Sequence, residues 1–344
     1  MALLYCKIKI INFTVGWNGW TYKDTFFSTN ALYFAQSAGN WYFSSTGSSE
    51  TKRENSFKLF KKSYSYYLGK EIKVDSNWLW WLIGFIEGDG AILEYKGRPR
   101  LVITQRDPKV LFEIQNVLQL GKVKHFKVKE EIKYFRYIVE DNSTILLFYL
   151  LLNDHLVLEH RRNQLKRWYI ALKNAPRLNL SKFNLLDLPD INYHLVKPSL
   201  DNAWLSGFTD AEGCFTAGID YKKKTIYCRF LIDQQNGREC LNYIIHLFNY
   251  GKVSLRKSTN SVYRLTISMN NPNRKEFNLI YDYFSKFLLK TSKEKNFLLW
   301  WEVITKIARK EHKTEVGLKE IKKLKKQMNK YNIENNPIGS SKFS

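Results

Sequence analysis

Two short apolar segments of the chain share an unusual ending of acidic residues and glycine. Residues 81–90 read WLIGFIEGDG, and residues 204–213 read WLSGFTDAEG. The nearly unbroken apolar run in each segment predicts a buried helix, and Gly84 and Gly207 would let a second helix approach at backbone contact. The glycine that closes each segment is expected to take a positive φ and to end the helix.

Each apolar segment begins a copy of a longer pattern. An alternating stretch, a polar turn and a second alternating stretch come next, followed by apolar residues at helical spacing, another strand pair and further helices. Corresponding residues lie about 130 positions apart, as do Gln105 and Gln234 or Gly121 and Gly251, which indicates a tandem duplication. The sequence therefore predicts an α+β protein with two αββαββα modules.

The duplication sets the predicted domain boundaries. The first module covers residues 75–172, and the second covers residues 199–330. Residues 173–198 contain three prolines and several asparagines, a composition typical of a linker. Residues 1–74 are an extension of unknown fold, because their Ser-, Tyr- and Trp-rich middle has no sustained period, and residues 331–344 are a C-terminal tail.

The chain is strongly basic. Lysine and arginine total 55 against 32 aspartates and glutamates, which gives a net charge of +23 at pH 7. Nucleic acid is favoured as the partner over a membrane surface, because the positive charge is not concentrated in one amphipathic helix. No apolar stretch approaches the ~20 residues that a membrane span needs, and the four cysteines lack the paired spacing of a zinc site.

The acids at the ends of the two helices are the candidate chemistry. A helix C-terminus already carries partial negative charge, so a carboxylate there is disfavoured by about 0.3–1 kcal/mol unless a cation meets it. If the helices pack through their glycines, Asp89 and Glu212 come together, and adjacent carboxylates either share a proton or bind a cation such as Mg²⁺. Glu87 and Asp210 lie two positions earlier, about 200° around the helix, and are expected to make polar contacts instead.

Both segments resemble the LAGLIDADG motif of homing endonucleases, and the double copy is similar to the single-chain, pseudo-twofold branch of that family. The resemblance implies motif helices packed at the module interface and antiparallel sheets that form a saddle for DNA. It also implies that Asp89 and Glu212 bind the catalytic Mg²⁺, with the backbone carbonyls of Gly88 and Ala211 as supplementary ligands.

A basic residue completes the site that the resemblance implies. Lys293 corresponds to the family's active-site lysine by its spacing before Trp301, so it is the third predicted catalytic residue. Its first-module counterpart is His160, where the pattern departs from lysine, and the neighbouring Arg161 is the alternative cation. This departure puts equal catalysis on the two DNA strands in question.

The predicted strands carry the candidate DNA contacts. Alternate side chains of a strand lie on one sheet face, and in the major groove arginine reads guanine while glutamine reads adenine. The predicted nucleic-acid-binding residues are Arg98, Arg100, Gln105 and Arg136 in the first module and Arg229, Gln234, Arg256 and Arg264 in the second. Because the two halves differ in sequence, the target is expected to be a long, asymmetric site in double-stranded DNA.

Three functions follow from these features as hypotheses. The leading one is a monomeric, Mg²⁺-dependent, site-specific double-strand DNA endonuclease that promotes the mobility of its own intron. The alternative is an intron-encoded maturase that binds intron RNA and assists group I splicing, and the third is a non-catalytic DNA-binding regulator. Acids retained at both Asp89 and Glu212 favour cleavage. A family member this rich in Lys, Asn, Ile, Tyr and Phe resembles proteins encoded in organellar introns, so a mitochondrial location is expected, with the chloroplast as the alternative.

Overall fold

The computed structural model describes residues 15–16, 19–20, 57–128, 131–220, 225–257, 259–269 and 275–335. The chain divides into two compact units, residues 1–46 and residues 47–344. In the first unit, strands Val15–Gly16 (β1) and Gly19–Trp20 (β2) pair in an antiparallel manner. The second unit contains both copies of the repeat.

The first copy folds as helices against one antiparallel sheet. Its elements are α1 (Lys58–Leu68), α2 (Ser76–Asp89), β3 (Gly90–Tyr95), β4 (Arg98–Gln105), α3 (Lys109–Leu118), β5 (Lys122–Val128), β6 (Glu131–Val139), α4 (Asn142–Leu152) and α5 (Glu159–Lys173). The four strands pair in the order β3-β4-β6-β5.

The second copy repeats this arrangement. Its elements are α6 (Trp204–Glu212), β7 (Gly213–Asp220), β8 (Thr225–Gln235), α7 (Arg238–Phe248), β9 (Lys252–Leu255), β10 (Val262–Met269), α8 (Lys275–Lys286), α9 (Lys293–Ala308) and α10 (Glu315–Asn335). The strands pair in the order β7-β8-β10-β9, so the two sheets share one topology and the predicted α+β duplication is confirmed. Helix α10 packs on α9 and continues past the predicted module end at residue 330.

Each sheet has one face covered by helices and one open face. In β8, Phe230 and Ile232 are fully buried, whereas Arg229 and Asp233 alternate with them on the other face. Arg264 of β10 pairs directly with Asp233 and therefore shares the open face. The period-two pattern thus sorts the apolar side chains toward the core and leaves charged side chains on the open faces.

The motif helices α2 and α6 pack against each other through their glycines, as predicted. A Cβ atom added at Gly84 would lie 2.0 Å from the carbonyl oxygen of Trp204, and one added at Gly207 would lie 1.8 Å from that of Trp81. No side chain larger than hydrogen fits at either position, because the obstructing atoms are backbone. The two helices are therefore in direct backbone contact at the module interface.

The glycines that follow the motif helices differ from the prediction. Gly90 has a φ of −76° and Gly213 a φ of −80°, so neither adopts the left-handed conformation and the expected positive φ is wrong. Both glycines start strands instead. Their small size matters for another reason, since a Cβ at Gly90 would lie 2.5 Å from the carbonyl oxygen of Ile86.

The folded body begins earlier than the predicted boundary at residue 75. Phe57, Phe60 and Tyr64, in and just before α1, are almost fully buried, and the hydroxyl of Tyr64 donates to the carbonyl of Leu118 at 2.9 Å. Residues 57–68 therefore contribute to the core of the first module. Their apolar residues were hidden in a segment without sustained periodicity.

The predicted linker is held against the first module. It contains a short 3₁₀ turn, Leu180–Phe183, whose Phe183 is fully buried and stacks on Tyr67 with ring centroids 4.7 Å apart. The hydroxyl of Tyr149 donates to the carbonyl of Pro189 at 2.7 Å. These contacts define the path of the linker between the two copies.

Among the helices in the described ranges, none combines the length and the apolar character needed to cross a bilayer.

We predict that Gly84→Ala and Gly207→Ala each destabilise the protein. In an ordinary helix interior, Gly→Ala stabilises by about 1 kcal/mol. Here the added methyl group would overlap the backbone of the facing helix, so we expect a loss of about 1–3 kcal/mol in the free energy of unfolding. Urea denaturation followed by circular dichroism measures this change.

Gly69→Ala is the matched control. A Cβ at Gly69 meets no atom within 4 Å, and its φ of 66° leaves only the left-handed backbone penalty of about 1–2 kcal/mol. If Gly84→Ala proved as stable as the wild type, the close helix packing would be wrong.

Candidate active site

The acids Asp89 and Glu212 are the last residues of the two packed motif helices. A Cβ added at Gly88 would lie 2.2 Å from the Cβ of Ala211 and 3.2 Å from the Cγ of Glu212, so the two helix ends are in contact. Both acids are partly exposed at their edges, but surrounding protein atoms replace most of the water. The structure therefore brings together the two carboxyl groups that the sequence singled out.

Burial dominates the electrostatics of this acid pair. Loss of hydration raises the pKa of Asp89 to about 6, with the positive charge of Lys293 and the amide of Gln105 opposing the rise. Loss of hydration also raises the pKa of Glu212 to about 8, and the neighbouring charge of Asp89 raises it further. Without a compensating cation, the pair resists carrying two negative charges near neutral pH.

Glu87 points away from this pair and ties together three elements. Its carboxylate accepts hydrogen bonds from the backbone N–H groups of Val157 and Leu158, at the start of α5, with the shortest distance 2.7 Å. It also accepts one from the indole N–H of Trp204 in the other motif helix at 2.7 Å. Burial nevertheless raises the pKa of Glu87 to about 7.

Asp210 makes the equivalent contacts in the second copy. It accepts hydrogen bonds from the backbone N–H groups of Lys290 and Thr291, just before α9, at 2.7 and 3.1 Å. The indole N–H of Trp81 donates to it at 2.8 Å. The predicted polar contacts of the inner acids are thus confirmed, and each acid links its own module to a tryptophan of the other.

Lys293 lies beside the end of α6. Its amine donates to the carbonyl oxygens of Ala211 at 2.7 Å and Thr209 at 3.2 Å. The side chain therefore places a positive charge next to the acid pair, and this charge is the largest influence lowering the pKa of Asp89.

In the first copy, Arg161 rather than His160 holds the corresponding position. The guanidinium of Arg161 donates to the carbonyl oxygens of Glu87 at 2.7 Å and Gly88 at 2.9 Å. Burial and the neighbouring guanidinium lower the pKa of His160 to about 4, so this imidazole is neutral at physiological pH. His160 therefore supplies no positive charge to the site.

The carbonyls of Gly88 and Ala211, predicted as supplementary metal ligands, thus already accept hydrogen bonds from cationic side chains. A carbonyl oxygen has two lone pairs, so one remains on each. In the described ranges, no cluster of three or more His, Cys, Asp or Glu side chains has metal-binding geometry. The protein therefore offers two carboxylates and two carbonyls at this point.

The two predicted glutamines have different surroundings. They occupy equivalent positions, because Gly90 pairs with Ile103 and Gly213 pairs with Ile232, two residues before each glutamine. Gln105 donates its amide N–H to the carboxylate of Asp89 at 2.5 Å. It is therefore a neighbour of the acid pair.

Gln234 does not fit its predicted role in DNA contact. Its side chain is only 5% exposed and lies on the helix-covered face, against the position where Gly237 would carry a Cβ. Its amide nitrogen faces the backbone carbonyl of Gln235 at 3.5 Å, and the buried amide oxygen has no hydrogen-bond partner. The prediction fails because strand parity places this residue on the side of the sheet away from the open face.

The predicted arginines of the first sheet lie on its open face. Arg136 pairs with Thr104 in the register, and its guanidinium lies 4.9 Å from the ring centre of Phe126 and 5.0 Å from that of Tyr134. Arg100 forms an ion pair with Glu140 at 2.6 Å. Arg98, at the start of β4, is exposed.

The arginines of the second sheet are organised around Asp233. Arg264 donates two hydrogen bonds of 2.6 Å to this carboxylate, and Arg256 donates one of 3.1 Å. The Asp233 hydrogen bond raises the pKa of Arg264 further. Arg229 lies over the ring of Tyr227 at 4.3 Å. Sequence reasoning missed this clamp, because cross-strand register decides which side chains meet.

Comparisons with known sequences agree with this geometry. A family model described as LAGLIDADG endonuclease matches residues 205–304, within the second copy. Probable intron-encoded endonuclease 4 of Neurospora crassa is 31% identical over 280 residues, which are 78% of this chain and 48% of that protein. This chain therefore spans about half the length of that relative.

Two further relatives are intron proteins of yeasts. An uncharacterized cox1 intron-2 protein of Schizosaccharomyces pombe is 29% identical over 294 residues, and the match covers 83% of each chain. The intron-encoded RNA maturase bI4 of Saccharomyces cerevisiae is 23% identical over 251 residues, which are 70% of this chain and 34% of that protein.

A solved structure shares the fold. The LAGLIDADG meganuclease I-AabMI, bound to uncleaved DNA, matches with a TM-score of 0.57 at 24% identity, covering 72% of this chain and 98% of that one. The duplicated topology, the paired acids at the ends of two packed glycine-containing helices and the matched family model agree. The chain belongs to the LAGLIDADG endonuclease family and carries two copies of its motif.

Proposed function

We propose that this protein is a site-specific endonuclease that uses divalent metal to cut both strands of a long, asymmetric DNA site and thereby promotes the mobility of its intron. The observation that carries the proposal is the contact between the ends of α2 and α6, which brings Asp89 and Glu212 together. Both modules supply an open sheet face with arginines. A single chain therefore contains every part that the reaction needs from the protein.

The acid pair suits a hard divalent cation, and we propose Mg²⁺. Two carboxylates and two backbone carbonyls are oxygen donors, and Mg²⁺ in proteins is commonly held by one or two carboxylates together with substrate phosphates. The pKa values of Asp89 and Glu212 are raised, as expected for acids buried without a full counter-charge. When bound, a divalent ion would polarise the phosphodiester and lower the pKa of an attacking water.

The surrounding side chains would orient and balance this centre. The amide of Gln105 holds one oxygen of the Asp89 carboxylate, which leaves the other oxygen for a ligand. Lys293 places a positive charge where negative charge develops on the phosphoryl group. The crossed bonds from Trp81 to Asp210 and from Trp204 to Glu87 hold the two helix ends in register.

The open sheet faces would carry recognition. Arginines on these faces can reach guanine edges and phosphates, and the net charge of +23 favours association with a polyanion. In the second sheet, Asp233 orients Arg256 and Arg264, so fewer side-chain conformations are lost on binding. The two faces differ in residue content, which supports an asymmetric target.

We place the protein in mitochondria. The supporting observation is its likeness to an intron-2 protein of cox1 in Schizosaccharomyces pombe over 83% of both chains.

A maturase that assists splicing of group I intron RNA is the second candidate. It is supported by the likeness to the RNA maturase bI4 over 70% of this chain. The stronger likeness to an intron-encoded endonuclease and the retained acid pair favour DNA cleavage. Incubation of the purified protein with the intron RNA and with intronless DNA would separate the two functions.

We predict that Asp89→Asn and Glu212→Gln each reduce DNA cleavage by at least about a hundredfold, beyond the 10- to 100-fold typical of changes around a metal ligand. Both substitutions remove a negative oxygen donor while conserving shape. The measurement is the rate of cutting of a duplex that spans the intronless insertion site, in Mg²⁺. Glu315→Gln, an exposed change at the start of α10, is the control and should cut at the wild-type rate. Cutting by either acid variant at the wild-type rate would contradict the assignment.

We also predict a pH-dependent stability difference between wild type and Glu212→Gln in EDTA. The pKa of Glu212 is raised from 4.5 to about 8 in the fold, so its favourable contribution is complete below pH 4.5 and is lost as the pH rises through 8. The variant does not titrate at this position.

The expected result is a Tm difference that is constant below pH 4.5 and then grows in favour of the variant, by at least about 4 °C at pH 9. Added Mg²⁺ should raise the Tm of the wild type more than that of the variant. Differential scanning calorimetry measures both effects, and a difference independent of pH would contradict the burial of this carboxyl group.

DNA affinity should depend steeply on salt. The logarithm of the binding constant is expected to fall by about 0.9 per contacted phosphate against the logarithm of salt concentration. Arg229→Ala, on the open face of β8, should reduce affinity and either lower this slope by about one or relax base specificity. Lys166→Ala, exposed on α5, is the control. A salt-independent affinity would rule out the polyanion contact.

A further inference from the structure

The surroundings of the two acids are built from equivalent positions but are not equal. We define the first half-site as Asp89, Gln105 and Lys293, and the second half-site as Glu212, Gln234 and Arg161. The first contains a lysine and a glutamine directed at the acid pair. The second contains an arginine and a glutamine engaged elsewhere.

The cations differ in what they can still donate. Each nitrogen of the Arg161 guanidinium already donates a hydrogen bond, to the carbonyls of Glu87 and Gly88 and to the side chain of Gln164, and the residue is 8% exposed. The amine of Lys293 donates to two carbonyls and has a third N–H. Lys293 can therefore follow a phosphate, whereas Arg161 is fixed by backbone contacts.

The glutamines differ in the same direction. Gln105 fixes one oxygen of Asp89 at 2.5 Å. Gln234 lies buried on the helix side of its sheet and makes its 3.5 Å contact with the backbone of Gln235. The acid of the first half-site is thus oriented by its glutamine, and the described contacts give Glu212 no equivalent support.

The cavities beside the half-sites carry opposite charge. Each forms where the turn before a helix of one module meets the first turn of a helix of the other. The cavity of about 140 Å³ beside Gln105 is lined by Lys109, Lys290, Lys295, Asp107 and Glu294 among its charged residues. The cavity of about 290 Å³ beside the start of α5 has Lys197, Glu159 and Glu239, with His160 neutral. The first cavity is therefore net positive and the second net negative.

We propose that the protein cuts its DNA target in a fixed order, and that the strand whose scissile phosphate lies at the first half-site is cut first. The proposal rests on the proposed endonuclease function. In each cut, a water oxygen bonds to phosphorus, the bond to the 3′ oxygen breaks, and one proton of that water ends on the 3′ oxygen. Lys293 and Gln105 favour this step on one strand, while fixed Arg161 and buried Gln234 support it less on the other.

Single-turnover cleavage of a duplex with a different label on each strand tests the order. We expect one strand to be cut at least about tenfold faster, which is a modest difference in barrier. Lys293→Met should slow the faster strand more than the slower one. Equal rates on the two strands would overturn the order, and absence of cutting on both would overturn the endonuclease function together with it.

Arg161→Lys separates the effect of the protein from that of the DNA sequence. A lysine at this position regains a mobile amine, so we expect the ratio of the two strand rates to shrink by at least about threefold. Arg167→Lys, an exposed change on the same helix, should leave the ratio unchanged. An unchanged ratio in folded Arg161→Lys would show that the DNA sequence sets the order.

A binding measurement gives an independent test with the wild-type protein and without metal. Two duplexes each carry one uncharged methylphosphonate, at the scissile position of either strand, and their affinities are measured in EDTA. We expect the larger loss of affinity when the modified strand is the one cut first, because Lys293 then loses its anionic partner. Equal losses, or a larger loss on the other strand, would overturn the assignment of the half-sites.

Discussion

The backbone contact between the two motif helices is the constraint on which the rest of the structure depends. Gly84 and Gly207 let each helix touch the carbonyl of a tryptophan in the other, so the helices end at the same point. The side chains of those tryptophans, Trp81 and Trp204, then donate to the inner acid of the opposite helix. Close packing and crossed hydrogen bonds thus join two modules that could otherwise separate.

This geometry forces like charges together. Asp89 and Glu212 emerge at adjacent helix ends, and loss of hydration raises both pKa values. Arg161 and Lys293 offset part of the repulsion, but each is bonded to backbone carbonyls at the helix ends. The fold therefore stores unfavourable electrostatic energy at one point, as functional sites commonly do. A bound cation would relieve it.

Duplication explains both the symmetry and its loss. The sheets have the same strand order, and the inner acids make matching contacts. The outer parts have diverged, since Asp233 clamps two arginines in the second sheet whereas Arg136 lies between aromatic rings in the first. The packed interface tolerates little change because its contacts are between backbones. The open faces have no such constraint.

The sequence by itself determined the repeat, the helix contact and the acid pair, because each depends on local residue type at fixed spacing. Helical periodicity also separated Glu87 from Asp89 correctly. Only the tertiary structure decided that residues 57–68 join the core, that Arg161 replaces His160 beside the acids, and that Gln234 is buried. These outcomes depend on which face of an element meets a distant partner, and packing between residues far apart in the chain sets that choice.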